Sequence, residues 1–306
     1  MANDLWTDYR LLQQTAPEEF TCRIPEGLFG PEIDAWANGL GLGVLEKHFD
    51  WLWVREWDGT KAVERPVYLN PTLEERIEGY FRLARNRPDL FTPSGHCPIL
   101  MDRYAMLSFT ERTQKPVGLV FDNSPYYMVV SDLCGGVDRL YAYSRILYPD
   151  AQGNGTVIIP RLLRNGQPPL FGILHVFRHS IRMMSGGEFP RGFQAPGITP
   201  LENSAKELWE EFRISADRLS ALTLLGHSRP DTGLSGGQVQ IYLADVSGAP
   251  SQANIGHEGI TESEWLTEEE LLDRIRTGVI LDGMTQTAML LFQLYQHEHG
   301  RHGRIS

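Results

Sequence analysis

The chain is 306 residues long, with 39 Asp and Glu against 28 Lys and Arg and a formal net charge of -11. That length exceeds a common single domain and supplies ample apolar material for a core, so two domains are expected. An acidic balance with no basic run long enough to follow a phosphate backbone argues against nucleic acid as partner. The opening MANDLWTDYR lacks the basic-then-apolar order of a leader, and no apolar segment approaches the ~20 residues of a bilayer span; no membrane and a cytoplasmic location are expected.

From residue 1 to about 118 short helical patterns alternate with Pro and Gly punctuation. An example is Leu73 to Arg85, with apolar Ile77, Tyr80, Phe81 and Ala84. This stretch, 1–118, is read as an N-terminal α+β accessory domain without assignable chemistry. From Lys115 onward β-rich runs take over: PVGLVF, YYMVVSDL, RLYAYSRILY and GTVIIPRLL, each bounded by Asp, Gly, Pro or Asn. A boundary near residue 118 follows, with 119–306 as the second domain. PLFGILHVFRHSIRMM reads as a strand through Phe177, Pro200 to Phe212 as a helix, and LTLLGH and QVQIYLADV as strands. Two helices close the chain, Thr267 to Arg276 and roughly Met284 to His297, the latter with Met284, Ala288, Leu291, Leu294 and Tyr295 at helical spacing. Strands interleaved with helices that can cover both faces predict a mixed β-sheet sandwiched by helices, an α/β/α arrangement. Cys22, Cys97 and Cys134 are widely spaced and unpaired by CxxC, so neither a disulfide framework nor a zinc site is suggested.

The stretch that carries chemistry is GFQAPGITPLENSAKELWEEFRI, Gly192 to Ile214. Thr199 can cap the helix, Pro200 suits its first position, and Glu202 completes a capping box. Leu201, Ala205, Leu208 and Phe212 form an apolar stripe, while Glu207, Glu210 and Glu211 fall at i, i+3 and i+4 and converge on one patch. An acidic triplet alone is usually a solvated helix face. Here a loop rich in Gly and Pro precedes it, where backbone carbonyls can approach the same ion, and oxygen clusters of this kind are what Mg2+ or Mn2+ requires beside phosphate.

In register, this segment resembles the Nudix signature: Gly, five residues, Glu, seven residues, Arg-Glu, an aliphatic residue, one residue, Glu-Glu, one residue, Gly and an aliphatic residue. Gly192, Glu207, Leu208, Glu210, Glu211 and Ile214 match, and Lys206 stands for the Arg. Ile198 replaces the first Glu and Arg213 the final Gly. In the family that first Glu commonly pairs with the Arg, so Ile198 and Lys206 look like one coupled change in structural support. Arg213 at the helix exit is expected to cost about 1 kcal/mol in a left-handed conformation. EFPRG at Glu188 to Gly192 looks like the Glu-x-Pro-Ala-Gly lead-in of ADP-ribose pyrophosphatases, and HVFRH at His175 to His179 like their strand ending in aromatic-Arg. SRPDTGLSGGQVQIYLADV and the tail from His257 to Phe292 resemble their later loops, strand and helices. The resemblance spans roughly residues 140 to 296.

What it implies is a Nudix α/β/α sandwich that cleaves a small-molecule nucleoside diphosphate derivative, ADP-ribose or a related nucleotide sugar, to a nucleoside monophosphate and a sugar phosphate, with Mg2+ or Mn2+. Glu207 and Glu211 would be the principal metal ligands with Glu210 alongside, in a catalytic role too, and the carbonyl of Arg191 would add a residue-blind ligand. Glu258, in the acidic loop, would be a further ligand or general base, with Glu262 and Glu264 as alternatives and a solvated carboxylate as the plain reading. Arg178 would contact phosphate or ribose, or else form a salt bridge. Glu188 would hold substrate or metal, or else bond to the loop. Members of this type are often homodimers with crossing segments, a purpose the stretch 119–150 could serve. The rivals are a non-hydrolytic nucleotide-binding sensor, which Ile198 and Arg213 favour, and an enzyme for an unusual pathway diphosphate with residues 1–118 shaping its entrance. His297, His299 and His302 read as a frayed polar terminus. LSGGQ at Leu234 to Gln238 matches an ATPase signature but lacks any GxxxxGK[ST] loop, so it reads as a Gly turn. Cys134 reads as structural, and Trp209 as a packing residue able to dock the N-terminal region.

Overall fold

A computed structural model describes residues 31–92, 96–124, 126–136, 139–148, 154–194 and 197–302. The opening MANDLWTDYR and Cys22 lie outside the described residues. The chain divides into two compact units, Met1–Leu147 and Tyr148–Ser306. The division falls about thirty residues later than the expected 118, and the reason is packing.

In the first unit helix α1 (Pro31–Gly39) precedes an antiparallel sheet of β1 (Gly43–Lys47), β2 (Trp51–Trp57) and β3 (Ala62–Tyr68). Successive side chains of a strand point to opposite faces. Leu52 and Val54 therefore join Ala37 and Leu42 in one cluster, while Trp51 joins another. The second cluster also holds α2 (Pro71–Asn86) through Leu73, Ile77 and Tyr80, and α3 (Arg103–Thr113) through Met106, Leu107 and Phe109. The same cluster contains Val117, Met128, Val130, Leu133 and Leu147 from the meander β4 (Gly118–Asn123), β5 (Tyr127–Gly135) and β6 (Leu140–Leu147) and its lead-in. Asp132, 2% exposed, fixes this union: it accepts from Tyr80 Oη at 2.5 Å and from Arg145 Nε at 2.5 Å, linking α2 to β5 and β6. Residues 118–147 thus share the first unit's core. Cys134, buried on β5 with its thiol pushed up to about 12 by burial and by neighbouring Cys97, behaves as a structural residue.

The second unit is built on a mixed sheet in the order β11-β12-β7-β8-β13, where β7 is Asn154–Arg164, β8 Gln167–Arg178, β11 Leu219–Ser228, β12 Gln238–Val246 and β13 Ile260–Leu266. Short strands β9 (Met183–Met184) and β10 (Arg191–Phe193) pair with β8 and β7. The pairing of β12 with β7 is parallel and all others are antiparallel. Both faces are apolar. Val157, Ile159, Phe171, Ile173, Ile241 and Leu243 pack on α5 (Glu268–Arg276) and α6 (Gly283–His302). Ile158, Leu174, Val176, Ala244 and Val246 pack on α4 (Pro200–Phe212). This is the expected α/β/α sandwich. Its helix α4 has the predicted bounds and the predicted capping box: Glu202 N–H donates to Thr199 Oγ1 at 3.2 Å and Thr199 N–H to Glu202 Oε2 at 2.7 Å. LSGGQ lies between β11 and β12, and its Gly237 leads into β12 while making room for the Tyr148 ring.

Three expectations change. The buried face of α4 is Asn203, Ser204, Glu207, Leu208, Glu211 and Phe212, residues three and four apart that share a face, whereas Leu201 in the first turn is exposed. The closing helix buries Thr285, Ala288, Met289 and Phe292 and leaves Leu290 and Leu294 outside. It also continues to His302 rather than fraying, with His299 Nδ1 2.8 Å from the Tyr295 carbonyl.

Arg213 closes α4 in the left-handed region, φ 54° and ψ 30°. Its N–H donates to Trp209 O at 3.1 Å, the 5→1 bond of an αL cap, and Ile214 N–H reaches Leu208 O at 3.1 Å as Ile214 drops into the core. Trp209 is half exposed, its ring 5.4 Å from the Arg213 guanidinium. Because a Cβ is strained there, Arg213→Gly is expected to raise the unfolding free energy by about 1 kcal/mol, read from the denaturant midpoint at unchanged m-value. An unchanged or lowered midpoint would contradict that assignment.

Candidate active site

The site forms where α4 crosses β10. Gly192 faces the helix, and a Cβ placed on it would lie 2.2 Å from the Glu207 carboxyl carbon. The bare Cα is what lets Glu207 fold down against the strand, so glycine is required here for proximity, not for its backbone angles. One turn on, Glu211 Oε2 accepts the Arg191 N–H at 3.0 Å. Glu207 and Glu211 are 6% and 5% exposed, and both carboxyls are pushed up by burial. Glu211 reaches about 8, because Glu207 and Glu258 add like charge that the Arg191 N–H and Arg178 only partly offset. Two adjacent carboxylates are thus held in low dielectric with an unmet demand for positive charge.

Glu210 does not join them. It is turned outward, and Lys206 Nζ stands 2.8 Å from its Oε2 and 3.2 Å from Glu207 Oε1. The expected convergence of three carboxylates on one patch is therefore two buried and one solvent-side, as 100° per residue dictates. Among the described residues no three His, Cys, Asp or Glu side chains gather closely enough to enclose a metal ion. His297 and His299 form no such group either.

The loop before β10 is held by charge. Glu188, 1% exposed, accepts Arg178 Nε at 2.9 Å and Nη2 at 2.5 Å, and Arg191 Nη2 at 2.7 Å. Its main chain bridges Leu174 of β8 in both directions at 2.8 Å. The Glu188 carboxylate is closed by the two guanidinium groups of Arg178 and Arg191. Arg191 Nη1 continues to Asp282 Oδ1 at 2.7 Å; Asp282 Oδ2 accepts the Thr285 N–H and hydroxyl at 2.8 Å, and Thr285 Oγ1 accepts the Phe189 N–H at 3.1 Å. The start of α6 is thereby fastened to both sides of Pro190.

The acidic loop is fastened to the other end of α4. Asn254 donates its N–H to Glu211 O at 2.8 Å and its side-chain amide to Glu210 O at 3.0 Å. These carbonyls are among the last of the helix, which lack intrahelical donors. Four residues on, Glu258 sits in the left-handed region at φ 46°, its side chain 69% exposed, and its charge acts on both Glu207 and Glu211. Of its alternatives, Glu262 is exposed on β13, and Glu264 is engaged by Arg274 at 2.7 and 2.8 Å and by His175 at 2.5 Å. Asn254, Asp282 and Thr285 escaped the sequence reading. Asp282 three residues before Thr285 at a helix start was a legible cap; nothing local marked Asn254, whose partners are 43 and 44 positions away.

No protein-family model matches the chain, and no curated protein does. Among solved structures, an ADP compounds hydrolase aligns over 59% of this chain and 91% of its own length, with TM-score 0.45 and 15% identity. No described helix is long and apolar enough to cross a membrane.

Two outcomes follow from this geometry. Gly192→Ala forces the Glu207 carboxylate off the strand and is expected to lower the unfolding free energy by about 1–3 kcal/mol in urea titration. A wild-type midpoint would mean that the contact is not tight. The Arg274 guanidinium holds the Glu264 carboxyl below its ordinary value, with burial opposing and His175 assisting. A depressed carboxyl contributes stability above its unfolded value, lost as pH falls through the folded one. Arg274→Met should therefore cost about 1 kcal/mol at neutral pH, with the gap to wild type closing below about pH 4. A gap that persists in acid would assign the loss to packing instead.

Proposed function

We propose that the second unit is a Nudix-type hydrolase that uses a divalent cation, Mg2+ or Mn2+, to cleave the phosphoanhydride of ADP-ribose or a related nucleotide sugar. The observation that carries this is the buried pair Glu207 and Glu211 against the main chain of Arg191 and Gly192. The donors fit the ion in kind: Mg2+ is commonly bound through one or two carboxylates, completed by substrate phosphate oxygens and water, so an enclosing cage is not needed. Glu207 and Glu211 would hold it, with the Arg191 carbonyl as a third protein donor and Glu210 on the rim. When bound, such a cation neutralises diphosphate charge and acidifies an attacking water.

The chain's own groups account for the remainder. Water adds to one phosphorus, the bridging P–O bond breaks, and the proton leaving the water passes to a carboxylate; Glu258, exposed and acting through its charge on Glu207 and Glu211, would take it. Departure of the second phosphate yields a nucleoside monophosphate and a sugar phosphate. Arg178, about one third exposed and anchored on Glu188, supplies positive charge beside the carboxylate pair. The rival reading, a nucleotide-binding sensor without turnover, draws on Ile198 and on Lys206 holding two of the helix carboxylates.

Incubation with Mg2+ and a panel of ADP-ribose, nucleoside diphosphate sugars, NADH and dinucleoside polyphosphates separates the readings. Turnover of ADP-ribose or a nucleotide sugar is expected, abolished by EDTA. Removing one charged metal ligand costs several kcal/mol of transition-state stabilisation, so Glu211→Gln should lower kcat on the order of 10²–10³-fold while retaining the wild-type circular dichroism spectrum. Saturable binding of a panel compound with no turnover would replace the hydrolase by the sensor.

A further inference from the structure

We infer that Lys206 is a built-in counter-cation that takes the place of one divalent ion, so that the site accepts a single Mg2+ or Mn2+, on the Glu207–Glu211 side. The inference rests on the metal-dependent function proposed above and says how many ions that function uses.

Lys206 precedes Glu207 and lies one helical turn before Glu210, and its ammonium bridges the two at 3.2 and 2.8 Å. Nothing else within its reach on α4 competes for it. Glu202, four residues earlier, is committed to the capping box through its Oε2, which takes the Thr199 N–H and hydroxyl at 2.7 and 2.8 Å. Residue 198, on the loop before the helix, is Ile and supplies only its carbonyl, to the Gln194 amide. The ammonium therefore rests on one oxygen of each of the two carboxylates that a second divalent ion would bridge, and its charge repels a cation there.

The opposite side of Glu207 is different. The ion pairs of Lys206 are with Glu207 and Glu210 and do not include Glu211. Glu211 takes the Arg191 N–H at 3.0 Å, and no cationic side chain is in direct contact with it among the described residues. The asymmetry, a lysine on one side and a buried carboxyl group without a cationic side chain in contact on the other, leaves room for one ion.

The test counts bound Mn2+ by electron paramagnetic resonance of the free ion, with Mn2+ alone titrated into the full chain. Wild type is expected to bind one equivalent, lost in Glu211→Gln. Lys206→Gln, a change at a side chain 42% exposed, should add a second equivalent, which Glu210→Gln introduced into that variant removes again. Lys206→Arg should keep the count at one. Two or more equivalents in wild type, or a single equivalent in Lys206→Gln even at raised affinity, would overturn the inference and leave the proposed hydrolase standing. No bound Mn2+ in any of these proteins would overturn both.

Discussion

The second unit depends on one close approach: a helix carrying two buried carboxylates pressed onto a strand with no side chain at the contact point. Burying a carboxylate without a partner costs several kcal/mol, and burying two side by side adds their repulsion. Nothing in the immediate packing of Glu207 and Glu211 repays this; one main-chain N–H from Arg191 and the Lys206 ammonium are the direct partners. The fold must therefore hold α4 in place by other means. It does so with Leu208, Phe212 and Ile214 in the core on one side of the carboxylates and the Thr199–Glu202 box at the helix start. Gly172 contributes in the same way as Gly192, since a Cβ there would come 2.9 Å from the Phe212 ring. Two missing side chains, one on β8 and one on β10, set the depth at which the helix lies.

The main chain opposite the carboxylates is held as firmly as the helix. Glu188 gathers two guanidinium groups, and Arg191 passes the linkage to Asp282 and so to the first turn of α6. Charge-assisted, partly bidentate bonds of this kind fix direction as well as distance. Their effect is to orient the Arg191 peptide, whose N–H meets Glu211. Asn254 performs the corresponding task on the far end of α4, tying the acidic loop to carbonyls that a helix cannot satisfy itself. Each group near the carboxylates is thus set by a contact from a distant part of the chain. These ties hold the helix and strand that carry the site, and the loop beside them, in register.

The same distinction explains what could be read in advance. Local chemistry was legible: the capping box, Pro200, the bounds of α4 and β12, and the left-handed exit at Arg213 all follow from residues within a few positions of each other. The sandwich followed from apolar runs long enough to be buried on both faces, as Val157, Ile158 and Ile159 are. What was missed is non-local. The β1–β3 sheet alternates clearly at Trp51, Leu52, Trp53 and Val54, but Trp on one face and aliphatics on the other obscure the period, since both faces are covered. Placement of the unit boundary required knowing that Tyr80 meets Asp132, a pairing across 52 positions. In the site, spacing correctly put Glu207 and Glu211 together and could not show that Lys206 would claim Glu210.

Departures from the resembled signature take on a different meaning once the geometry is known. Counted along the sequence, Ile198, Lys206 and Arg213 are three separate losses. In space they are two, and neither touches the buried pair's oxygens by removal. Arg213 keeps the hydrogen bonds that a glycine would make there, Leu208 O and Trp209 O being satisfied and Ile214 buried, so the exit of the helix is intact apart from backbone strain. Ile198 and Lys206 form the other change. Position 198 carries an apolar side chain, and the basic residue at 206 pairs with two carboxylates of its own helix. A shorter, flexible lysine can make that pairing as a point charge, where the planar fork of an arginine is suited to a fixed bidentate partner. The substitution that appears conservative in the signature is thus the one whose charge rests on Glu207 and Glu210.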